Sequence, residues 1–302
     1  MCSGSQRKED GVLYLGLAQW SSSAWQQCLY GKGAPTSERL AHYARVFNTV
    51  EGSTTFYATP SRTVANQWAS AVNDTFRFTF KLPQMITHQQ QLRHSQQSVR
   101  DFFEAMSPTI EKTGIWKIQL PANFGPAQVQ DLEKFLRQMP AGLPMGVEVR
   151  HPAFFQKGDD ERRLNAMLIE HQANRIIMDS RPVFSHVRDD AALIDAQQKK
   201  PRVPVHAIAT AETPMIRFIG IDRDNTIEDW RANLPFFESW TTKISQWLNE
   251  GKSPYLMIHT PDNHFGPELA QALYQRLQQQ VSTLPDLPPL LENPKDQQLS
   301  LL

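Results

Sequence analysis

Ionisable residues sit at the ends of short apolar segments along this chain: Glu51, Lys81, Glu148, Arg150, Asp179, Arg217 and His259. Two carboxylates beside cations can supply a general acid and a general base for a hydrolysis or an isomerisation. The accompanying Lys and Arg favour an anionic ligand such as a phosphate, a carboxylate or a nucleotide fragment. On this reading Glu148, Asp179, Glu51 and His259 are candidate catalytic groups. Trp20, Tyr57, Lys81, Gln119, Arg150, Arg217 and Asn263 are candidate ligand contacts. A divalent metal on Glu148, Asp179, His259 and Glu51 is the competing chemistry, because oxygen and imidazole donors suit such an ion. Lys81, Arg150 and Arg217 would repel it, and there is no H-E-x-x-H spacing, so no cofactor is expected. A structural alternative pairs Glu51, Glu148 and Asp179 with Lys81, Arg150 and Arg217 as an internal network with no ligand. His88 and His151 read as loop residues making local bonds, and Cys28 as a core thiol.

These residues can meet only if the elements carrying them converge. Apolar runs at 13–20, 49–54, 76–82, 114–120, 144–150, 174–179, 215–220 and 255–259 read as strands. Segments of helical periodicity follow most of them, such as Leu40, Tyr43, Ala44 and Phe47, or Leu269, Ala272, Leu273 and Leu277. Eight such units predict a single-domain α/β fold of the (β/α)8 TIM-barrel type over residues 12–280, after a flexible stretch at 1–11. The runner-up, an open doubly wound sheet, lacks its Gly-rich first turn. Residues 181–213, rich in Pro, Lys and Gln, show no sustained helical face and read as an insertion after the sixth strand. Period 2 in the strands sends Phe78, Phe80, Trp116, Ile118, Val147 and Val149 toward the helices. Lys81, Lys117, Gln119, Glu148 and Arg150 then turn inward, with Gln19 and Trp20 closing the ring. The C-terminal strand ends are where barrel enzymes work.

The 302 residues carry 31 Lys plus Arg and 31 Asp plus Glu, with a pI near 7.1. Neither direct DNA binding nor membrane attachment by bulk charge is expected from such a balance. Two cysteines cannot build a disulfide framework, and no apolar stretch approaches membrane-spanning length, so a cytoplasmic location is expected.

Five stretches carry a resemblance: VEGSTTFYATPS at 50–61, FRFTFKLPQMITH at 76–88, IQLPANF at 118–124, VEVRHPAFF at 147–155 and MIRFIG at 215–220. In this order they resemble the YecE-like family, domain of unknown function 72. The resemblance implies a TIM-type barrel and brings no established catalytic list. The chain departs from the family pattern at Leu17-Ala18-Gln19-Trp20, at Gly52-Ser53-Thr54, at Ile219 in place of a histidine, and at His259-Thr260-Pro261-Asp262-Asn263 in place of a paired asparagine. His259 is expected to supply the imidazole that Ile219 does not. The barrel is also similar to the xylose-isomerase and endonuclease IV type, at the level of fold alone.

From Val281 to Leu302 the composition turns Pro-rich, which reads as an extended, exposed tail. Its last residues, Gln298, Leu299, Ser300, Leu301 and Leu302, resemble the peptide by which bacterial replication and repair proteins dock on the DNA sliding clamp. The resemblance implies that protein as a partner. Two functions therefore stand side by side. One is a YecE-like barrel, with hydrolase or isomerase chemistry as its enzymatic form, whose mouth takes a small anionic or nucleotide-like ligand and whose tail tethers it to the clamp. The other is a non-catalytic adaptor in replication or repair whose polar mouth is an ion-pair network.

Overall fold

The computed structural model describes residues 11–187, 190–221, 224 and 226–291. Nine parallel strands form one sheet: β1 (Tyr14–Leu17), β2 (Thr49–Gly52), β3 (Arg77–Lys81), β4 (Thr113–Gln119), β5 (Met145–Glu148), β6 (Asn174–Arg175), β7 (Ile177–Asp179), β8 (Met215–Ile219) and β9 (Tyr255–His259). Helices α1 (Arg39–Tyr43), α2 (Arg62–Ser70), α3 (Gln96–Ala105), α4 (Val129–Arg137), α5 (Asp159–Glu170), α6 (Arg181–Ser185), α7 (Ala191–Lys199), α8 (Ile227–Asn249) and α9 (Gly266–Gln278) alternate with them. The sheet order runs β6-β5-β4-β3-β2-β1-β9-β8-β7. Its two end strands are halves of one segment interrupted at Ile176, whose N–H donates to Val147 O at 2.9 Å. β6 pairs with β5 and β7 with β8, so the sixth strand closes a TIM-type barrel.

The sequence explains which side of each strand faces the axis. Leu15, Leu17, Val50, Phe78, Phe80, Trp116, Ile118, Val147, Ile216, Phe218, Leu256 and Ile258 join the helices in the main core. The alternate residues line the lumen, which has two layers of opposite character. In one, Ile115, Ile176, Met215, Tyr255 and Met257 form a separate buried apolar cluster, with Tyr14 stacked on Tyr255 at 4.4 Å. Gly146 makes room for it, since a Cβ there would lie 2.8 Å from Ile115 Cγ2. The other layer, toward the C-terminal strand ends, is ionic.

Two segments differ from the sequence expectation. Residues 181–213 contain α6 and α7, both too short to display a stripe over several turns. Asp190 caps α7 through the Leu193 N–H at 2.7 Å. Val183, Leu193 and Ala196 pack on Met178 and Ile219, which face inward from β7 and β8, and on Ile221. The stretch from Val281 to Leu291 is extended and most of its residues are exposed, but it lies against the barrel rather than free of it. Leu284, Leu287 and Leu290 pack against the main core, at a spacing that matches the three-residue repeat of an extended Pro-rich chain. Tyr274 Oη donates to Pro285 O at 2.7 Å, and Leu291 N–H donates to Cys28 O at 2.8 Å. Gln298–Leu302 lies outside the described residues.

Candidate functional site

Five strands, β2, β3, β4, β5 and β8, place two carboxylates and three cations around the axis. Arg217 on β8 is the hub: Nε and Nη2 donate to Glu51 at 2.8 and 3.0 Å, while Nη1 donates to Glu148 Oε2 at 2.8 Å. Lys117 on β4 lies between the same two acids, 3.0 Å from Glu51 Oε1 and 3.4 Å from Glu148 Oε2. Lys81 at the end of β3 lies 3.1 Å from Glu51 Oε1. Arg150, two residues beyond Glu148, returns Nε and Nη2 to Glu148 Oε1 at 3.0 and 2.7 Å. Glu51, Glu148, Lys117 and Arg217 are buried, whereas Lys81 and Arg150 retain some solvent contact.

Burial alone would raise the carboxyl pKa values. The Arg217 and Lys117 charges more than offset it and hold Glu51 and Glu148 well below the usual range. Lys117 moves the other way: burial, aided by Arg217 and only partly opposed by Glu51, brings its ammonium down to about 7. His259 at the end of β9 is brought to about 3 by burial and Arg217, so its ring is neutral at physiological pH. Its Nε2 lies 3.5 Å from Glu51 Oε2 and is left without a formed hydrogen bond, as is the buried Thr260 Oγ1 beside it. Acid–base exchange near neutrality therefore falls to amines, and the carboxylates stay ionised.

The insertion adds a cation that periodicity did not mark. Ser180, just past β7, donates its hydroxyl to Pro201 O at 2.8 Å, which pins the chain after α7 to the mouth. Lys200 precedes that anchor. Burial and the Arg217 charge lower its pKa to about 8, and the fields of Glu51, Glu148 and Lys81 also reach it. Its only sequence signal was a Lys-Lys-Pro run inside the insertion. Lys117 was legible as inward-facing but not as the centre of the network.

Other expected site residues lie elsewhere. Asp179 is a correction: its register with Phe218 on β8 turns it toward the helices. There it accepts from Arg181 Nε and Nη2 at 2.9 and 2.7 Å and from Trp240 Nε1 at 2.8 Å. Met178, not Asp179, takes the inward place, because the sixth strand's alternation runs one residue off the assumed phase. The metal donor set is consequently not assembled, since Asp179 is outside the lumen and both glutamates are engaged by cations. Trp20 leans into the helix layer, with its ring 5.3 Å from that of Trp68 and 6.4 Å from that of Phe78. Asn263 is a turn residue at φ 61°, whose side chain accepts from Thr260 N–H at 3.3 Å and whose carbonyl accepts from Trp25 Nε1 at 2.8 Å. Gln119 is buried beside Glu148 in the strand register. Tyr57 stands on the rim, 74 % exposed.

Comparison with known proteins agrees with this architecture. The chain is 44 % identical over 276 residues to the UPF0759 protein YecE of Escherichia coli strain K12, covering 91 % of this chain and 95 % of that one. The same identity and coverage hold for YecE of E. coli O157:H7. Among solved structures, a DUF72 family protein of Enterococcus faecalis superposes with a TM-score of 0.68 at 21 % identity, covering 93 % of this chain and 98 % of that one. One of Thermotoga maritima gives 0.66 at 20 % identity, covering 90 % and 99 %. Residues 14–295 match the family described as "Protein of unknown function DUF72", and the chain belongs to that family.

Proposed function

We propose that the barrel mouth binds a small anion, such as a phosphate or carboxylate group, at the C-terminal ends of β3, β4, β5 and β8. The supporting observation is a charge imbalance: Lys81, Lys117, Arg150, Arg217 and Lys200 surround only Glu51 and Glu148. A network kept purely for internal pairing has no use for the surplus cations, which raise one another's charging cost. Lys81 and Arg150 keep some solvent contact, where a ligand would meet them. Hydrolysis or isomerisation of that ligand is the chemistry proposed for the site, with the amines of Lys117 and Lys200 as its proton carriers. Inorganic phosphate titrated into the full chain by calorimetry should bind with Kd of about 1 mM or tighter. Arg150→Met and Lys81→Met should each weaken it. No heat of binding at roughly tenfold higher concentration would refute the reading.

We propose separately that Gln298–Leu302 docks on the sliding clamp, on the strength of its sequence pattern alone. A peptide of residues 285–302 should compete for purified clamp at micromolar concentration. An adaptor would depend on Leu301 and Leu302 and remain indifferent to Glu148, Arg150 and Lys81.

A further inference from the structure

Beside the cations, the loops after β2 and β3 build a wall of a different kind. Phe56 lies with its ring centroid 5.9 Å from Lys81 Nζ and 5.1 Å from the His88 ring. Tyr57 packs edge-on against Phe56 at 5.3 Å and remains largely exposed, as does Met85. Thr55 Oγ1 donates to the carbonyls of Gly52 and Lys81 at 3.2 and 2.7 Å, which ties this loop to the end of β3. His88 is held through Nδ1 at 2.8 Å from Thr87 Oγ1, and burial together with the Arg150 charge lowers its pKa.

The second loop is held in a costly shape. A π-helical turn at Met85–Gln89 is followed by three non-glycine residues at positive φ: Gln91 at 48°, Leu92 at 66° and His94 at 50°. Such backbone persists only where surrounding contacts fix it, and it concentrates at ligand sites. Here the Leu92 N–H donates to Ile86 O at 2.9 Å, and Arg93 clamps Asp131 at 3.1 and 2.7 Å. Aromatic faces displayed on rigid loops next to a cationic pocket offer a flat ligand both stacking and charge.

We infer that the ligand is an aromatic anion, its charged group among Lys81, Arg150 and Arg217 and its planar ring against Phe56, Tyr57 and His88. The inference rests on the anion-binding reading of the mouth and adds the class of the body attached to the anion. An aryl phosphate or a nucleoside monophosphate has this form.

The test compares inorganic phosphate, cyclohexyl phosphate and phenyl phosphate on the full-length protein by calorimetry. Phenyl phosphate should bind about tenfold more tightly than inorganic phosphate and more tightly than cyclohexyl phosphate. Tyr57→Ala, at an exposed position, and Phe56→Leu should each reduce the phenyl preference and leave the inorganic phosphate affinity in place. If inorganic phosphate binds but phenyl phosphate gains nothing, or gains no more than cyclohexyl phosphate, the aromatic inference is overturned and the anion site stands. Persistence of the full preference in both variants would also overturn it. Failure of all three compounds to bind would remove the anion reading and this one together.

Discussion

Replacing Lys117 with methionine tests the electrostatics of the mouth most directly. The side chain is fully buried, and methionine approximates its length without the charge. In the unfolded chain the ammonium keeps its ordinary pKa of 10.5, whereas in the folded protein it loses its proton near 7. Between those values the unfolded state holds the extra proton, so Lys117 makes stability rise with pH, and its favourable contribution is lost as pH falls through 7. The slope is at most about 1.4 kcal/mol per pH unit, or roughly 2.5 kcal/mol between about pH 7.5 and pH 9.5. Lys117→Met should lack this component while Arg217 still holds Glu51 and Glu148. Urea denaturation of both proteins across this range reads the effect, as wild-type stability minus variant stability climbing with pH. Parallel curves would mean that Lys117 stays charged throughout, and the assignment of neutral-pH proton exchange to this amine would fall.

Glu51→Gln should cost about 3–5 kcal/mol in the same assay near neutral pH, because Arg217, Lys117 and Lys81 all lose a buried counter-charge. Asp179→Asn should cost about 1–3 kcal/mol through its bonds to Arg181 and Trp240 but leave phosphate affinity unchanged, as expected of a residue outside the lumen. Lys200→Ala should lower phosphate affinity severalfold and make it less sensitive to salt. His259→Gln should leave intact whatever pH dependence phosphate binding shows between about pH 5.5 and 7.5, because the imidazole is already neutral there.

The barrel and the inward set on β3, β4 and β5 were legible because alternation is strict where one face is aromatic and the other charged. Phe78 and Phe80 against Arg77, Thr79 and Lys81 leave one phase that buries the rings. The sixth strand had no such contrast. Ile176, Ile177 and Met178 are apolar on both sides of the sheet, so residue type could not fix the phase, and Asp179 was assigned to the wrong face. Strand-end loops were harder still. Trp20 and Asn263 lie beyond the last strand residue, where period 2 no longer applies and local turns set direction. Lys200 owes its place to a tertiary contact, Ser180 with Pro201, that leaves no trace in local pattern.

Why charge fills this layer is answered by the layer next to it. Ile115, Ile176, Met215, Tyr255 and Met257 show that the same barrel packs its lumen with apolar side chains, a solution that avoids desolvating ions. Had stability alone shaped the second layer, residues of that kind would serve equally well at Glu51, Lys117, Glu148 and Arg217. The ionic set instead occupies the C-terminal strand ends, borders the less buried Lys81 and Arg150, and is joined by Lys200 from an insertion folded over one side of the opening. Arg217 donates to both acids and so fixes the spacing between them, while Lys117 beneath the outer cations lies near the point of losing its proton. Under the anion-binding proposal such a layer would preorganise positive charge toward the ligand, and its cost to folding would fall at the C-terminal strand ends where that ligand is proposed to enter.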